Sequence, residues 1–294
     1  MPTTLPTSTL GLIAGEGEFP SLVLAGAKRA GLRVVVVGLS GCCSDEVRQA
    51  ADVYHEAGIA RLGRWIRIFR KERVDRAIMA GRVRKSQMFD QSRWRQFLAY
   101  LPDWTSIKVW YFSAKDRRND NLLRAVADEM RAKGIDLIDS TAYCQDALAP
   151  DGVLTRGGSL SQTLNADIEL GWRIAKEMGR LDVGQSVAVK DKDIIAVEAI
   201  EGTDAMIERA GALCKSGGWT LVKTAKPNQD MRFDVPTVGP GTIKLLHAAK
   251  GTALVVEAGK TLLLQKDELI DLANSLGITV VGRIDSSSGP IQPT

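Results

Sequence analysis

Apolar residues along the chain follow two periods. Leu10 to Ala14 form a short apolar run that ends in glycine. Residues from Pro20 to Ala30 repeat apolar positions at helical spacing and stop at Gly31, and RVVVVGL from Arg33 is a buried β-branched run. Strand, glycine turn, helix and buried strand within about 30 residues make a βαβ unit and predict a parallel sheet. The pattern continues through a helix from Leu62 to Glu72, the run RAIMAG ending at Gly81, a helix from Asp120 to Lys133, and a strand at GIDLID. Residues 1–140 are expected to form a doubly wound, mostly parallel, Rossmann-like α/β domain.

The pattern then changes. The span 141–161 contains ALAPDGVLTRGGSLS, which is rich in Gly, Pro and Ser and has no period, and it is expected to be a linker. Residues 162–285 open with a helix from Asn165 to Met178. Strand-like runs follow at QSVAVKD, DIIAVEAI, WTLVKTAK, MRFDV, ALVVEAG, TLLLQ and ITVVG, with helices starting at Thr203, Gly241 and Lys266. Closely spaced strands with interspersed helices predict a second, mixed-sheet α/β domain. The tail SSSGPIQPT, residues 286–294, is expected to be disordered.

Composition narrows the function classes. The chain has 294 residues, 45% apolar and 25% charged, which excludes disordered, collagen-like and disulfide-scaffold proteins. Thirty-nine basic against 35 acidic residues leave +4, too little to indicate a nucleic-acid binder. Cys42, Cys43, Cys144 and Cys214 show no CxxC spacing, and the first residues show no signal-peptide pattern. A reducing cytoplasm is the economical location. No apolar run approaches the roughly 18 residues of a membrane span. RWIRIFRKER from Arg64 alternates cations with Trp65, Ile66, Ile68 and Phe69. That is the pattern of a surface helix with one buried face, and it leaves room for peripheral contact with an anionic membrane.

Candidate chemistry falls in two places. Gly15 and Gly17 lie between strand and helix, where glycines let backbone approach a phosphate and a helix N-terminus supplies N–H donors. Pro20 replaces the third glycine of a dinucleotide fingerprint, and Gly38, Leu39 and Ser40 lack the ribose-binding carboxylate, so nicotinamide chemistry is disfavoured. Gly81, followed by Arg82, Arg84 and Lys85, and Asp120, at a helix start, fall where ligands of open α/β sheets bind. In the second half, VEAIEGTDAMI supplies Glu198, Glu201, Thr203 and Asp204. Glu198 interrupts a buried-looking strand, and a buried carboxylate needs a partner, a metal or a proton.

Further on, LVKTAKPNQDMRFDVPTVG supplies Lys223, Lys226, Arg232 and Asp234. Read as a strand, MRFDV puts Arg232 and Asp234 on one face, with Pro236 confining it to an edge. Lysines and arginine neutralise nonbridging phosphate oxygens, while Asp234 and Glu201 hold Mg²⁺ or orient water. The two histidines, His55 and His247, sit in no triad or HExxH arrangement, and no P-loop occurs. Metal-and-carboxylate chemistry at a phosphoryl group is what these residues leave as the leading expectation. A non-catalytic nucleotide-sugar-binding regulatory module is the alternative.

Taken together, LIAGEGEFP, MAGRV, NDNLLR, GRLDVGQSVAVKD with VEAIEGTDAMI, and KTAKPNQDMRFDVPTVG resemble the LpxI family of UDP-2,3-diacylglucosamine pyrophosphatases of lipid A biosynthesis. The resemblance runs from about Leu10 to Gly282. It implies two α/β domains with the active site in the crevice between them, a homodimer, and a lipid-linked UDP-sugar substrate. It also implies hydrolysis that depends on Mg²⁺, or Mn²⁺ in its place. Water attacks the α-phosphorus, and the products are UMP and 2,3-diacylglucosamine 1-phosphate. By this resemblance the essential aspartate is Asp234. The EGTD string matches at Glu201, Gly202, Thr203 and Asp204, and the K-x-x-K-P string at Lys223, Lys226 and Pro227. Glu16 stands where the family has a third glycine, and Asn119 with Asp120 where it has two aspartates.

Overall fold

A computed structural model describes residues 8–82, 101–110, 119–157, 160–227 and 229–285. The chain divides into two units, Met1–Cys144 with Met231–Phe233, and Gln145–Asp230 with Asp234–Thr294. The first unit runs β1 (Thr9–Ala14), α1 (Phe19–Arg29), β2 (Arg33–Leu39), α2 (Asp45–Ala50), β3 (Val53–Ala57), α3 (Leu62–Lys71), β4 (Arg76–Ala80), α4 (Trp104–Lys108), α5 (Asn119–Ala132) and β5 (Asp136–Leu137). Its five strands are parallel, in the order β3-β2-β1-β4-β5. Val34 to Val37 are fully buried, so both faces of the sheet are covered, as an all-parallel sheet requires. One face packs Trp65, Ile66, Phe69 and Met130 against Val35 and Val37. α3 buries Leu62, Trp65, Ile66 and Phe69 and leaves Arg64, Arg67 and Arg70 exposed. Among the described residues no helix is long and apolar enough to cross a membrane.

The second unit runs β6 (Gly152–Val153), α6 (Gln162–Arg180), β7 (Ser186–Lys190), β8 (Asp193–Val197), α7 (Thr203–Leu213), β9 (Trp219–Lys223), β10 (Thr237–Val238), α8 (Pro240–Ala248), β11 (Gly251–Glu257), β12 (Leu262–Leu263), α9 (Lys266–Ser275) and β13 (Thr279–Arg283). Its main sheet has the order β6-β13-β11-β9-β7-β8, and β10 pairs with β12 separately. β9, β11 and β13 are parallel, while β7 runs antiparallel to β9 and to β8. Alternation sorts the core. Val222, Val255 and Val281 pack with Ile168 and Trp172 of α6. Leu221, Leu254 and Val280 pack on the other side with Met206, Ile207, Ile243 and Leu269. These directions bring the carboxyl ends of β8, β9, β11 and β13 and the start of β7 to one edge of the sheet.

Both sheets fit the expected mixed α/β class, the first parallel and the second mixed. Two local expectations fail. MRFDV is not a strand: Met231 to Phe233 form a turn, and the strand is only Thr237–Val238. The Ser140 amide and hydroxyl donate to the Met231 carbonyl at 3.0 and 2.6 Å, Phe233 packs on the core of the first unit, and the Arg232 guanidinium lies 4.8 Å from the Phe233 ring centroid. Anchoring by Phe233 and by the Met231 carbonyl overrides the alternation, and Pro236 offers no N–H for a ladder. The Gly- and Pro-rich span from 145 to 157 is likewise built into the fold. β6 pairs antiparallel with β13, the Ala149 amide donates to Thr261 O at 2.9 Å, and the Leu154 amide to Val280 O at 2.8 Å. The tail 286–294 lies outside the described residues.

Gly26 faces the Tyr143 carbonyl, which an added Cβ would overlap. Alanine in a helix interior is otherwise favoured over glycine by about 0.5–1 kcal/mol, whereas overpacking costs about 1–3 kcal/mol. Gly26→Ala is therefore expected to lower the urea midpoint. A raised midpoint would mean that the Tyr143 segment yields without cost.

Candidate functional site

The carboxyl edge of the second sheet carries a chain of hydrogen-bonded polar groups. Lys223 ends β9 and is 7% exposed, so its ammonium must be satisfied internally. Lys223 Nζ donates to Thr203 Oγ1 at 3.1 Å and to the Thr237 carbonyl at 3.2 Å. Thr203 Oγ1 in turn donates to Glu198 Oε1 at 3.0 Å, with Ser186 Oγ 3.4 Å away. Glu198 is 8% exposed. Its Oε2, together with Gln185 Oε1 and Thr224 Oγ1, is buried without a hydrogen-bond partner among the described residues. Unsatisfied buried acceptors beside a buried cation mark a polar site rather than ordinary core. The register explains the gathering: Ser186 pairs with Lys223 across β7 and β9, and the Glu198 amide donates to Ser186 O at 2.9 Å.

Thr203 is the first residue of α7, preceded by Gly202 at φ +84°. Asp204 follows in the first turn, exposed, where a carboxylate favours the helix dipole. Glu201 is engaged locally. Its carboxylate pairs with the Arg209 guanidinium and accepts the Ala199 amide at 3.2 Å. Its own backbone N–H, and next Arg209, hold its carboxyl below the usual glutamate range. Lys226 lies in the loop after β9 and pairs with Asp182 Oδ1 at 2.6 Å. Asp234 is exposed and follows the Met231–Phe233 turn. Its amide donates to Asp230 O at 3.2 Å, and its carbonyl accepts from Gln229 Nε2 at 2.5 Å. Of the expected residues, then, Lys223 and Thr203 are in direct contact, Lys226 lies in the loop that follows Lys223 and pairs with Asp182, and Glu201 turns to Arg209.

In the first unit, the glycine turns meet at the carboxyl ends of β1 and β4, the switch point of the sheet. The Gly15 amide donates to Ala80 O at 2.8 Å, and Glu16 and Arg82 exchange backbone hydrogen bonds at 2.8 and 2.9 Å. A Cβ on Gly15 would come within 2.7 Å of Arg82 O, and one on Gly81 within 2.8 Å of Glu16 O. These two glycines thus serve loop-to-loop contact, and the amides of Gly15 and Glu16 are already taken. Gly17, at φ +97°, has open space around it. Asp120 falls in the first turn of α5, its side chain outside the described residues, as are Arg84 and Lys85.

Among the described residues no group of three or more His, Cys, Asp or Glu gathers to hold a metal. Mg²⁺ does not need one, because one or two carboxylates and substrate phosphates suffice. The exposed Asp234 carboxylate fits such a donor set. Glu201 fits only by releasing Arg209. The sequence marks Glu198 as a carboxylate interrupting a buried-looking strand but leaves it outside the candidate site; it follows β8, which ends at Val197. The same signal, in ALVVEAG, points to Glu257, which is 1% exposed.

Arg209→Ala should raise the Glu201 pKa toward the ordinary glutamate value, read from the pH dependence of its carboxyl chemical shift. The stability this pair contributes is present above the unfolded-state pKa and is lost as pH falls through the lower folded-state value. Acid unfolding of the wild type should therefore be steeper there than that of Arg209→Ala. An unchanged titration would show that the backbone donors alone hold the charge.

Family models match both halves of the chain, the LpxI N-terminal domain over residues 9–147 and the LpxI C-terminal domain over residues 150–281. The chain is similar to the UDP-2,3-diacylglucosamine pyrophosphatase LpxI of Caulobacter vibrioides. The two are 32% identical over 292 residues, covering 96% of this chain and 99% of the relative.

Proposed function

The chain belongs to the LpxI family, and on that premise we propose that it hydrolyses the pyrophosphate of UDP-2,3-diacylglucosamine to UMP and 2,3-diacylglucosamine 1-phosphate. Family membership carries the reaction, and the second-unit geometry supports the division of roles. Lys223 presents a fixed cation beside Thr203 at the start of α7, suited to a nonbridging phosphate oxygen. Lys226, exchanging its Asp182 partner for phosphate, adds a second cation. Asp234 orients the water that attacks the α-phosphorus, or shares in holding Mg²⁺. Glu201 joins the metal only if Arg209 lets go. When bound, Mg²⁺ polarises the phosphoryl oxygens and stabilises the developing charge. Glu198 anchors Thr203 and balances the Lys223 charge.

The test is UMP release from UDP-2,3-diacylglucosamine with Mg²⁺, with Mn²⁺ and with chelator. Turnover that chelator abolishes is expected. Asp234→Ala should lower the rate by roughly 10²–10⁴ with an unchanged thermal melt. Full activity in that variant overturns the role of Asp234, and no turnover in the wild type under either metal overturns the reaction.

A further inference from the structure

The loop that carries both lysines, residues 223–226, has no regular secondary structure beyond Lys223. An irregular loop has polar backbone groups with no ladder partners, yet this one is buried through Ala225. Its contacts show how it is held. Ala225 N–H donates to Glu257 Oε2 at 2.8 Å, and Ala225 O accepts from Lys176 Nζ at 3.4 Å. Lys176 Nζ and Glu257 Oε2 are themselves 2.6 Å apart. Asp285 lies 2.9 Å from Lys176 and Lys260 2.9 Å from Glu257. Neighbouring bonds finish the job: the Thr224 amide donates to Gln185 O at 3.0 Å and the Lys226 amide to Gln229 Oε1 at 2.9 Å.

Resting on the phosphate-binding roles proposed above for Lys223 and Lys226, we infer that Glu257 and Lys176 are positioning residues of the site. The pair grips both backbone polar groups of Ala225, one of the two residues between the lysines. Glu257 closes β11, which neighbours β9, and Lys176 comes from α6 beneath the sheet, so two rigid elements converge on Ala225. Apolar side chains would fill the same space, but only polar partners can satisfy the buried N–H and C=O of Ala225, and in doing so they fix the loop backbone. A displacement of the loop by a fraction of an ångström would carry the lysines out of register with a diphosphate.

The experiment compares Glu257→Ala with Glu257→Gln, the second keeping an acceptor for the Ala225 amide while losing the charge. Glu257→Ala is expected to speed hydrogen exchange of the Ala225 amide at least about tenfold and to lower kcat/KM for UDP-2,3-diacylglucosamine by a similar factor. Glu257→Gln should restore most of both. In a Lys226→Ala background, Glu257→Ala should lower kcat/KM by less than about threefold further, because coupled residues are non-additive. Should Glu257→Ala fail to fold, Lys176→Met, which removes the donor to Ala225 O, carries the same comparison. Gln proving as damaging as Ala, equal losses in both backgrounds, or unchanged exchange would each overturn the inference. Wild-type protein that releases no UMP overturns the proposed reaction instead, and the exchange comparison then decides the clamp by itself.

Discussion

Much of the second unit follows from the need to bury one ammonium group. Taking Lys223 out of water costs several kcal/mol unless its donors are met, and the Thr203 hydroxyl and the Thr237 carbonyl both meet them. Thr203 has to sit at the first position of α7 so that its hydroxyl accepts from Lys223 and donates to Glu198. Gly202, in a left-handed conformation, makes the sharp entry into that helix. The Thr237 carbonyl must point at the same nitrogen, which fixes where β10 can lie. Two stretches far apart in sequence are thus located by one cation, and Glu198, accepting from Thr203, completes the set.

What could be read from the sequence was whatever a period could encode. Four consecutive valines announce a central parallel strand, and their burial on both faces repays that reading. Alternation in WTLVK correctly splits Leu221 and Val222 between two cores. The run WTLVKTAK reads as a strand through Lys226, but the strand ends at Lys223 and Lys226 lies in the loop after it. Long amphipathic helices such as α5 and α6 were visible within a few residues of their ends. Two-residue strands such as β6 and β10 carry too little pattern to read, whereas GIDLID and TLLLQ mark β5 and β12.

The errors have a common physical origin. MRFDV alternates like a strand, yet Phe233 and the Met231 carbonyl bind to partners about 90 residues or more away in sequence, which no local pattern encodes. Glu201 looked available because its string matches a phosphate-site motif. Its partner, Arg209, lies on the helix that follows and became visible only once α7 was folded. Asp182 and Lys226 repeat the lesson across 44 positions. Motif matching identified charged residues, while geometry decided which charges are already neutralised. Among the candidate residues, the lysine and threonine of the buried chain could be grouped by family strings, whereas Glu198, which accepts from that threonine, could be found only by noticing a carboxylate in an apolar run.

Glu198 and Glu257 make the same point together. Glu198 follows β8 and Glu257 ends β11, both in mostly apolar runs, and both carboxylates are buried. An ion pair in the interior is a poor way to gain stability, since hydrophobic replacement is often neutral or better. Its persistence here requires a different benefit, and the benefit lies in backbone and hydroxyl groups that an apolar side chain cannot satisfy. Glu257 accepts a loop amide, and Glu198 accepts the hydroxyl that supports a lysine. Both carboxylates therefore act as fixed points from which cationic side chains are aimed. That arrangement trades some packing at one edge of the sheet for fixed positions of the Lys223 ammonium and the Ala225 backbone.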